Sequence, residues 1–305
     1  MCMPTPSLAP VRTGIPALDS CFSGDAHSPL HFGDVVHVRG SSGSGKTRLL
    51  YSLTATCCMP RDYLSCQFGG WEKAAFVFDM DATFDVGRFQ DILVGRLRKS
   101  LPAVPFATLV NECLQRLHIF RPTSTEQLAV TLAHLPLYHS KNFPHADVGM
   151  VAIHSFDAFH WINHFRAEQQ QTSPSLSKNV AHYNVITELE AFRHSFGAII
   201  FITHWGLFGN NNSVASMFEM ARSSVVNPIS HLSGTSRTFH LYLPGDSTTS
   251  PETDGHDSQL ITVVRNFWRH ISRFYWICLT LYVTPLDTSL WRGTLFMNLS
   301  ICYTY

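Results

Sequence analysis

The stretch GDVVHVRGSSGSGKTRLLYSLTATCCMP, from Gly33 to Pro60, decides the fold of this chain. A short apolar run ends in a loop of glycine and serine, and leucines with helical spacing follow the loop. The residues from Gly40 to Thr47 fit the pattern G-x-x-x-x-G-K-[ST]. Because a strand precedes the loop and a helix follows it, a phosphate-binding loop is a better explanation than a chance match.

The chemistry of this loop predicts that it binds ATP with Mg²⁺. Backbone N–H groups of the loop and the positive end of the helix would bind the β- and γ-phosphates. Lys46 would add a point charge on the phosphates, and the Thr47 hydroxyl would be a ligand of Mg²⁺. The predicted nucleotide-binding residues are Gly40, Ser41, Ser42, Gly43, Ser44, Gly45, Lys46 and Thr47.

Composition narrows the class of protein. The chain has 305 residues, of which 45% are hydrophobic and only 14% are charged, which suits one large α/β domain with small additions. The 22 basic and 22 acidic residues cancel, and this balance argues against a stand-alone nucleic-acid binder but not against a subunit that contacts DNA through local loops. The eight cysteines include no C-x-x-C pair and indicate reduced thiols inside the cell.

No membrane span is expected. The longest apolar run, FYWICLTLYV from Phe274, has ten residues, whereas a spanning helix needs about 20. Its aromatic and β-branched residues favour a buried strand.

Further apolar strands alternate with helical segments after the loop. These strands are AAFVFDMD (74–81), LHIFRP (117–122), VGMVAIHSF (148–156) and GAIIFITHW (197–205). The alternation predicts a mostly parallel sheet with helices on both faces. TSRTFHLYLP (235–244) and QLITVVRNFW (259–268) are expected to extend the sheet as antiparallel strands at its C-terminal end.

The predicted domain organisation has three parts. Residues 1–31 are expected to form a flexible leader with one short helix near PALDSCF. Residues 32–283 would form the ATP-binding domain. Residues 284–305 show no periodicity and receive no predicted role in the fold.

Three more stretches carry a family resemblance. They are TGIPALDS (13–20), FVFDMDATFDVGRF (76–89) and MVAIHSFDAFHWINHF (150–165). Together with the glycine-rich loop they resemble the RecA-type recombinase superfamily and, more narrowly, a eukaryotic recombinase paralogue. The resemblance extends from about residue 13 to about residue 201, and weakly to about residue 283. It implies a RecA-like P-loop NTPase core.

The chain departs from the family at three positions that serve hydrolysis. Asp81 falls where the family has the glutamate that activates the attacking water, and the Asp81 side chain is one methylene shorter than glutamate. The alternative to this catalytic role is that Asp79 and Asp81 only end a strand and cap a turn. His154 replaces an aspartate that helps to hold Mg²⁺, and imidazole is a poor partner for that ion. Asp157 could compensate, or His154 could be a hydrogen-bonded histidine at a strand end. Trp205 stands where a glutamine senses the γ-phosphate, and tryptophan accepts no hydrogen bond.

The family's DNA-contacting loops follow its fourth and fifth strands. The matching segments here are residues 164–179 and 206–224, whose basic residues are Arg166, Lys178 and Arg222. These three residues are the candidate DNA contacts, although few charges are available for phosphate and the segments could be plain surface loops.

The resemblance implies a nuclear, ATP-binding subunit of a complex with other recombinase paralogues. The complex would support double-strand break repair by homologous recombination and would assist the recombinase on single-stranded or branched DNA. The three departures lead to the hypothesis that ATP hydrolysis is weak or absent. The alternatives are an active DNA-dependent ATPase and a small-molecule P-loop kinase.

Overall fold

The structure is a computed structural model, and it describes nine segments of the chain. These are residues 10–23, 30–64, 66–100, 107–169, 174–205, 238–243, 259–266, 276–283 and 297–302. Among the described helices, none combines the length and the apolar character that crossing a bilayer requires.

The described strands and helices alternate along most of the chain. The strands are β1 (Pro10–Val11), β2 (Leu30–His31), β3 (Val35–Gly40), β4 (Asp62–Tyr63), β5 (Cys66–Gln67), β6 (Ala74–Asp79), β7 (Leu117–Phe120), β8 (Val148–His154), β9 (Ile199–Trp205), β10 (Thr238–Leu243), β11 (Gln259–Asn266), β12 (Trp276–Val283) and β13 (Met297–Cys302). The α-helices are α1 (Pro16–Ser23), α2 (Lys46–Cys58), α3 (Val86–Ser100), α4 (Ala107–Gln115), α5 (Thr125–Asn142), α6 (His160–Gln169) and α7 (Pro174–Phe196). A short 3₁₀ turn at Phe156–Phe159 joins β8 to α6.

Nine strands form one sheet in the order β13-β12-β11-β10-β3-β9-β8-β6-β7. Six of these strands are parallel to one another, namely β10, β3, β9, β8, β6 and β7. The strands β11, β12 and β13 continue the sheet as antiparallel neighbours. The predicted α/β fold, with a mostly parallel sheet between helices, is therefore confirmed.

Two details of the C-terminal end differ from the expectation. The segment TFHLYL forms β10, which lies parallel to β3 rather than antiparallel, with Thr238 opposite Val35. Residues 297–302, for which the sequence predicts no role, form β13 and pair with β12. Edge pairing of this kind depends on long-range contacts, and local periodicity does not report it.

Helices cover both faces of the sheet because alternate strand residues point to opposite sides. Val36 and Val38 of β3 belong to the core that includes Leu50 of α2, together with residues of α1, α3 and α4. Val35 belongs to the second core, which includes Leu189 of α7 and residues of α5. The inner strands β6 and β8 are buried along their whole length, which explains their continuous apolar sequences.

The N-terminal segment is more ordered than a flexible leader. Its predicted short helix is α1, and β1 pairs with β2 in an antiparallel manner. Leu18 and Phe22 of α1 are each only 1% exposed, and the Phe22 ring packs edge-on against Phe239 of β10. Residues 10–23 therefore form part of the core. Residues 1–9 and 24–29 lie outside the described residues.

Candidate functional site

The predicted phosphate loop lies between β3 and α2, as the sequence indicates. Gly43 and Gly45 have φ angles of 80° and 89°, which side-chain-bearing residues adopt rarely. Gly40 has a different requirement, because a Cβ atom there would collide with the backbone carbonyl of Leu243 and with Ser44 Oγ. The glycines thus allow the loop to turn and allow β10 to pass close beside it.

Lys46 begins α2 and folds back over this loop. Its Nζ donates hydrogen bonds to the backbone carbonyls of Gly40, at 2.7 Å, and Ser41, at 2.5 Å. Burial lowers the pKa of the Lys46 ammonium group. A phosphate would offer this ammonium stronger acceptors than neutral carbonyls. The Lys46 ammonium therefore already lies near the place where it would contact a bound phosphate.

His154 joins three elements at the carboxyl edge of the sheet. The residue is 3% exposed and ends β8. Its Nε2 lies 3.1 Å from Thr47 Oγ1 of α2, and its Nδ1 lies 3.2 Å from Asp81 Oδ1 and 3.5 Å from Asp79 Oδ1. The ring therefore connects the predicted magnesium ligand to both acidic residues, and the interpretation of His154 as a hydrogen-bonded strand-end histidine is confirmed.

The Asp79 carboxylate is held by further donors. The backbone N–H groups of Thr83 and Phe84 donate to its two oxygens at 3.1 and 3.2 Å. Arg121, which follows β7, places its Nε 3.3 Å from Oδ2. Asp79 therefore stabilises the turn after β6. Arg121 was not among the predicted site residues, although its position after a parallel strand puts it at this edge.

Both oxygens of the Asp81 carboxylate also accept hydrogen bonds from the protein. Ser155 Oγ donates to Oδ2 at 2.5 Å, and Thr83 Oγ1 donates to Oδ1 at 2.7 Å. Ser155 has a φ of 55°, and its N–H donates to Thr203 Oγ1 of β9 at 2.8 Å. Asp81 therefore has both oxygens bonded within the protein. Ser155 was not among the predicted site residues, because nothing in the local pattern indicates this backbone conformation.

The titration of this cluster follows from its hydrogen bonds. Burial alone would lower the pKa of His154, but hydrogen bonds to Asp79 and Asp81 outweigh it and raise the pKa to about 9. Burial alone would raise the pKa of Asp81, but hydrogen bonds from His154, Ser155 and Thr83 outweigh it and hold that pKa well below its usual value. At neutral pH His154 is therefore an imidazolium beside the Asp81 carboxylate.

This donor set does not fit magnesium. Mg²⁺ requires near-octahedral oxygen ligands at about 2.0–2.1 Å. One donor atom each of Asp79, Asp81 and His154 lies within 4.8 Å of the others, but the histidine nitrogen is an unsuitable ligand and the carboxylate oxygens already accept protein hydrogen bonds. The Thr47 hydroxyl, the magnesium ligand that the loop motif predicts, is hydrogen-bonded to His154.

The end of β9 is held by a second group. Asp157 accepts a hydrogen bond from the Trp205 N–H at 3.1 Å, and its Oδ2 lies 3.3 Å from His204 Nδ1. His204 Nε2 in turn lies 3.0 Å from His37 Nδ1 on β3. Asp157 therefore does not compensate for the replacement by His154. Trp205 is 42% exposed at the position where the family has its γ-phosphate sensor.

The predicted DNA contacts are not brought together by the described residues. Arg166 is exposed on α6, and Lys178 lies in α7. Arg222 lies outside the described residues, as does the whole segment 206–224. The first predicted loop, 164–179, is mostly helical, because α6 continues to Gln169 and α7 begins at Pro174.

Comparison with known proteins finds DNA repair proteins. No family model matches the chain. The chain is 30% identical over 152 residues to "DNA repair protein XRCC2" of Mus musculus, an alignment that covers 50% of each protein. It is 36% identical over 69 residues to "DNA repair protein XRCC2 homolog" of Arabidopsis thaliana, which covers 23% of this chain and 18% of the plant protein. The chain thus spans half the length of the mouse relative.

Proposed function

We propose that this chain is an ATP-binding subunit that does not need to hydrolyse ATP. Its similarity to XRCC2 proteins confirms its resemblance to RecA-type recombinase paralogues. The observation that carries this proposal is the bonding of His154 to both Thr47 and Asp81 beside an intact phosphate loop. The loop from Gly40 to Thr47 would hold the nucleotide, whereas Asp81, which would activate the attacking water, accepts hydrogen bonds from His154 and Ser155.

The binding half of the proposal rests on the loop from Gly40 to Thr47. The loop lies at the N-terminus of α2, a helix of 13 residues, where the N–H groups of the first turn and the helix dipole favour phosphate. Lys46 adds a positive charge at the same place. These features support a triphosphate as ligand.

The hydrolysis half rests on Asp81 and Trp205. A general base must have an oxygen available to the attacking water, and both oxygens of Asp81 accept hydrogen bonds from side chains of the protein. A tryptophan indole cannot accept a hydrogen bond from that water or orient it. Each of these losses typically lowers hydrolysis by orders of magnitude.

The cellular part of the proposal comes from the relatives. Both are named DNA repair proteins, and we place this chain with them in homologous recombination in the nucleus. The partners would be other recombinase paralogues and, through the complex, single-stranded or branched DNA. Arg166, Lys178 and Arg222 are the proposed DNA contacts. A neutral chain binds DNA weakly alone, so its partners would supply most of the phosphate contacts.

Titration with a fluorescent ATP analogue tests the binding half. We expect saturable binding that Lys46→Ala weakens at least about tenfold. Lys141→Ala is the matched control, because Lys141 is an exposed lysine in the last turn of α5, and it should bind like the wild type. Equal binding by Lys46→Ala and the wild type would contradict the proposed site.

Affinity purification from nuclear extract tests the complex. Other proteins with a G-x-x-x-x-G-K-[ST] loop of the recombinase type should co-purify with the tagged chain and should be identified by mass spectrometry. Recovery of the chain without any recombinase relative would contradict the proposed membership.

A further inference from the structure

We propose that His154 takes the structural place of the magnesium ion, so that this chain binds ATP at the loop from Gly40 to Thr47 without a divalent metal. The inference rests on the nucleotide binding proposed above. It goes further by stating that the chain has replaced a bound cofactor with one of its own side chains.

The His154 ring occupies the position between the phosphate loop and the acidic residues. A magnesium ion at a phosphate loop connects the threonine hydroxyl to the acidic residues at the ends of neighbouring strands. The His154 ring makes that connection directly, since its two nitrogens lie 3.1 Å from Thr47 Oγ1 and 3.2 Å from Asp81 Oδ1. The ring is 3% exposed, and its hydrogen-bond partners include Thr47 of α2 and Asp79 at the end of β6.

The carboxylates of Asp79 and Asp81 already accept several hydrogen bonds from the protein. An aqua-magnesium ion would need acceptors for the protons of its water ligands. Asp81 instead accepts from Ser155 and Thr83, and Asp79 accepts from Phe84 and from Arg121. With these bonds in place, a hydrated ion would gain few partners and would displace several existing ones.

Several phosphate-binding groups of the loop act without a metal ion. The loop N–H groups, the N-terminus of α2 and the Lys46 ammonium do not depend on the metal. These groups can bind a metal-free triphosphate. Without magnesium, the protein loses the contribution that the ion makes to the chemical step of hydrolysis. Metal-free binding is thus consistent with a subunit that keeps its nucleotide intact.

The decisive experiment compares binding of the fluorescent ATP analogue in excess MgCl₂ and in excess EDTA, with wild-type protein. We expect the two dissociation constants to agree within about threefold. Weakening of about tenfold or more in EDTA would overturn the inference and would leave nucleotide binding itself standing. No binding under either condition would overturn the proposed function and this inference together.

Variants provide the converse test. His154→Asp should acquire binding that is about 10- to 100-fold tighter with magnesium than with EDTA, because a carboxylate can hold the ligand waters of the ion. His134→Asp adds the same acid at an exposed position of α5 and should show no magnesium dependence. His154→Asn is a second variant in case the carboxylate that His154→Asp adds beside Asp79 and Asp81 prevents folding. The asparagine side chain is shorter than histidine and should also make ATP binding magnesium-dependent. Variants that stay independent of magnesium would overturn the inference.

A direct metal measurement needs no nucleotide. Electron paramagnetic resonance of Mn²⁺, a common substitute for Mg²⁺, should show the ion free in solution when it is mixed with wild-type protein. Stoichiometric uptake of Mn²⁺ by the wild type, abolished by His154→Ala, would show that the cluster is a metal site and would overturn the inference.

Discussion

Replacing His154 by glutamine should remove a stabilising interaction whose strength depends on pH. The hydrogen bonds to Asp79 and Asp81 raise the pKa of His154 from 6.5 to about 9. A histidine with a raised pKa stabilises the fold fully below pH 6.5, and this contribution is lost as the pH rises through 9. Glutamine has nearly the same length but carries no charge at any pH.

The raised pKa sets the size of the effect. With 1.36 kcal/mol for each pH unit, the interaction contributes about 3 kcal/mol at pH 6.5, about 2 kcal/mol at pH 7.5 and less than about 1 kcal/mol at pH 8.5. The ring is buried, so solvent screens it little. The part of the lowered Asp81 pKa that comes from His154 is the same interaction and is not counted twice, and the parts from Ser155 and Thr83 remain in both proteins. Arg121, which follows β7, also lies beside Asp79 and is the same in both proteins, so its contribution cancels in the comparison.

Urea denaturation of the wild type and His154→Gln at pH 6.5, 7.5, 8.5 and 9.5 measures this contribution. Buried thiols such as Cys57 and Cys113 also make stability fall with pH, but they titrate alike in both proteins and cancel in the difference. The difference in unfolding free energy should shrink by about 3 kcal/mol across the series. A difference that stays constant within about 0.5 kcal/mol would show that His154 is not held as an imidazolium.

Three further substitutions test other parts of the structure. Gly40→Ala should lower the unfolding free energy by about 1–3 kcal/mol, because its Cβ would collide with Leu243. Gly95→Ala, in α3 with no atom near the new Cβ, is the control and should raise the unfolding free energy by up to about 1 kcal/mol. Urea denaturation measures both, and equal effects would contradict the crowding at Gly40. Asp157→Asn should cost about 1–3 kcal/mol in the same assay, and Asp147→Asn, at an exposed ion pair, less than about 1 kcal/mol. Trp205→Gln should leave phosphate release within about threefold of the wild-type rate, because Asp81 remains bonded to His154; a tenfold increase would show that the sensor position alone limits hydrolysis.

The phosphate loop could be predicted from the sequence because its determinants are local. The glycines, Lys46 and Thr47 lie within eight consecutive residues, and the flanking strand and helix have clear periodicity. The strands β6, β8 and β9 were predictable for a similar reason, since burial on both faces requires continuous apolar runs.

The contacts of His154 could not be predicted, because they join residues that are far apart in the chain. Thr47 and His154 come from α2 and β8, and Asp81 follows β6. The sequence located each of these residues at an element end but could not give the direction of the imidazole ring. The parallel direction of β10 was missed because residues 206–237 intervene, and the polarity of a strand depends on the route of its connection.

A single-turnover experiment with γ-labelled ATP tests most directly whether the chain binds ATP without cleaving it. Protein in excess over labelled ATP is incubated, and protein-bound label and released phosphate are followed for an hour, with Lys46→Ala as the control. We predict that the label is retained as intact ATP and that phosphate release does not exceed that of the control. Release of most of the bound label as phosphate within minutes, dependent on Lys46, would contradict this mechanism.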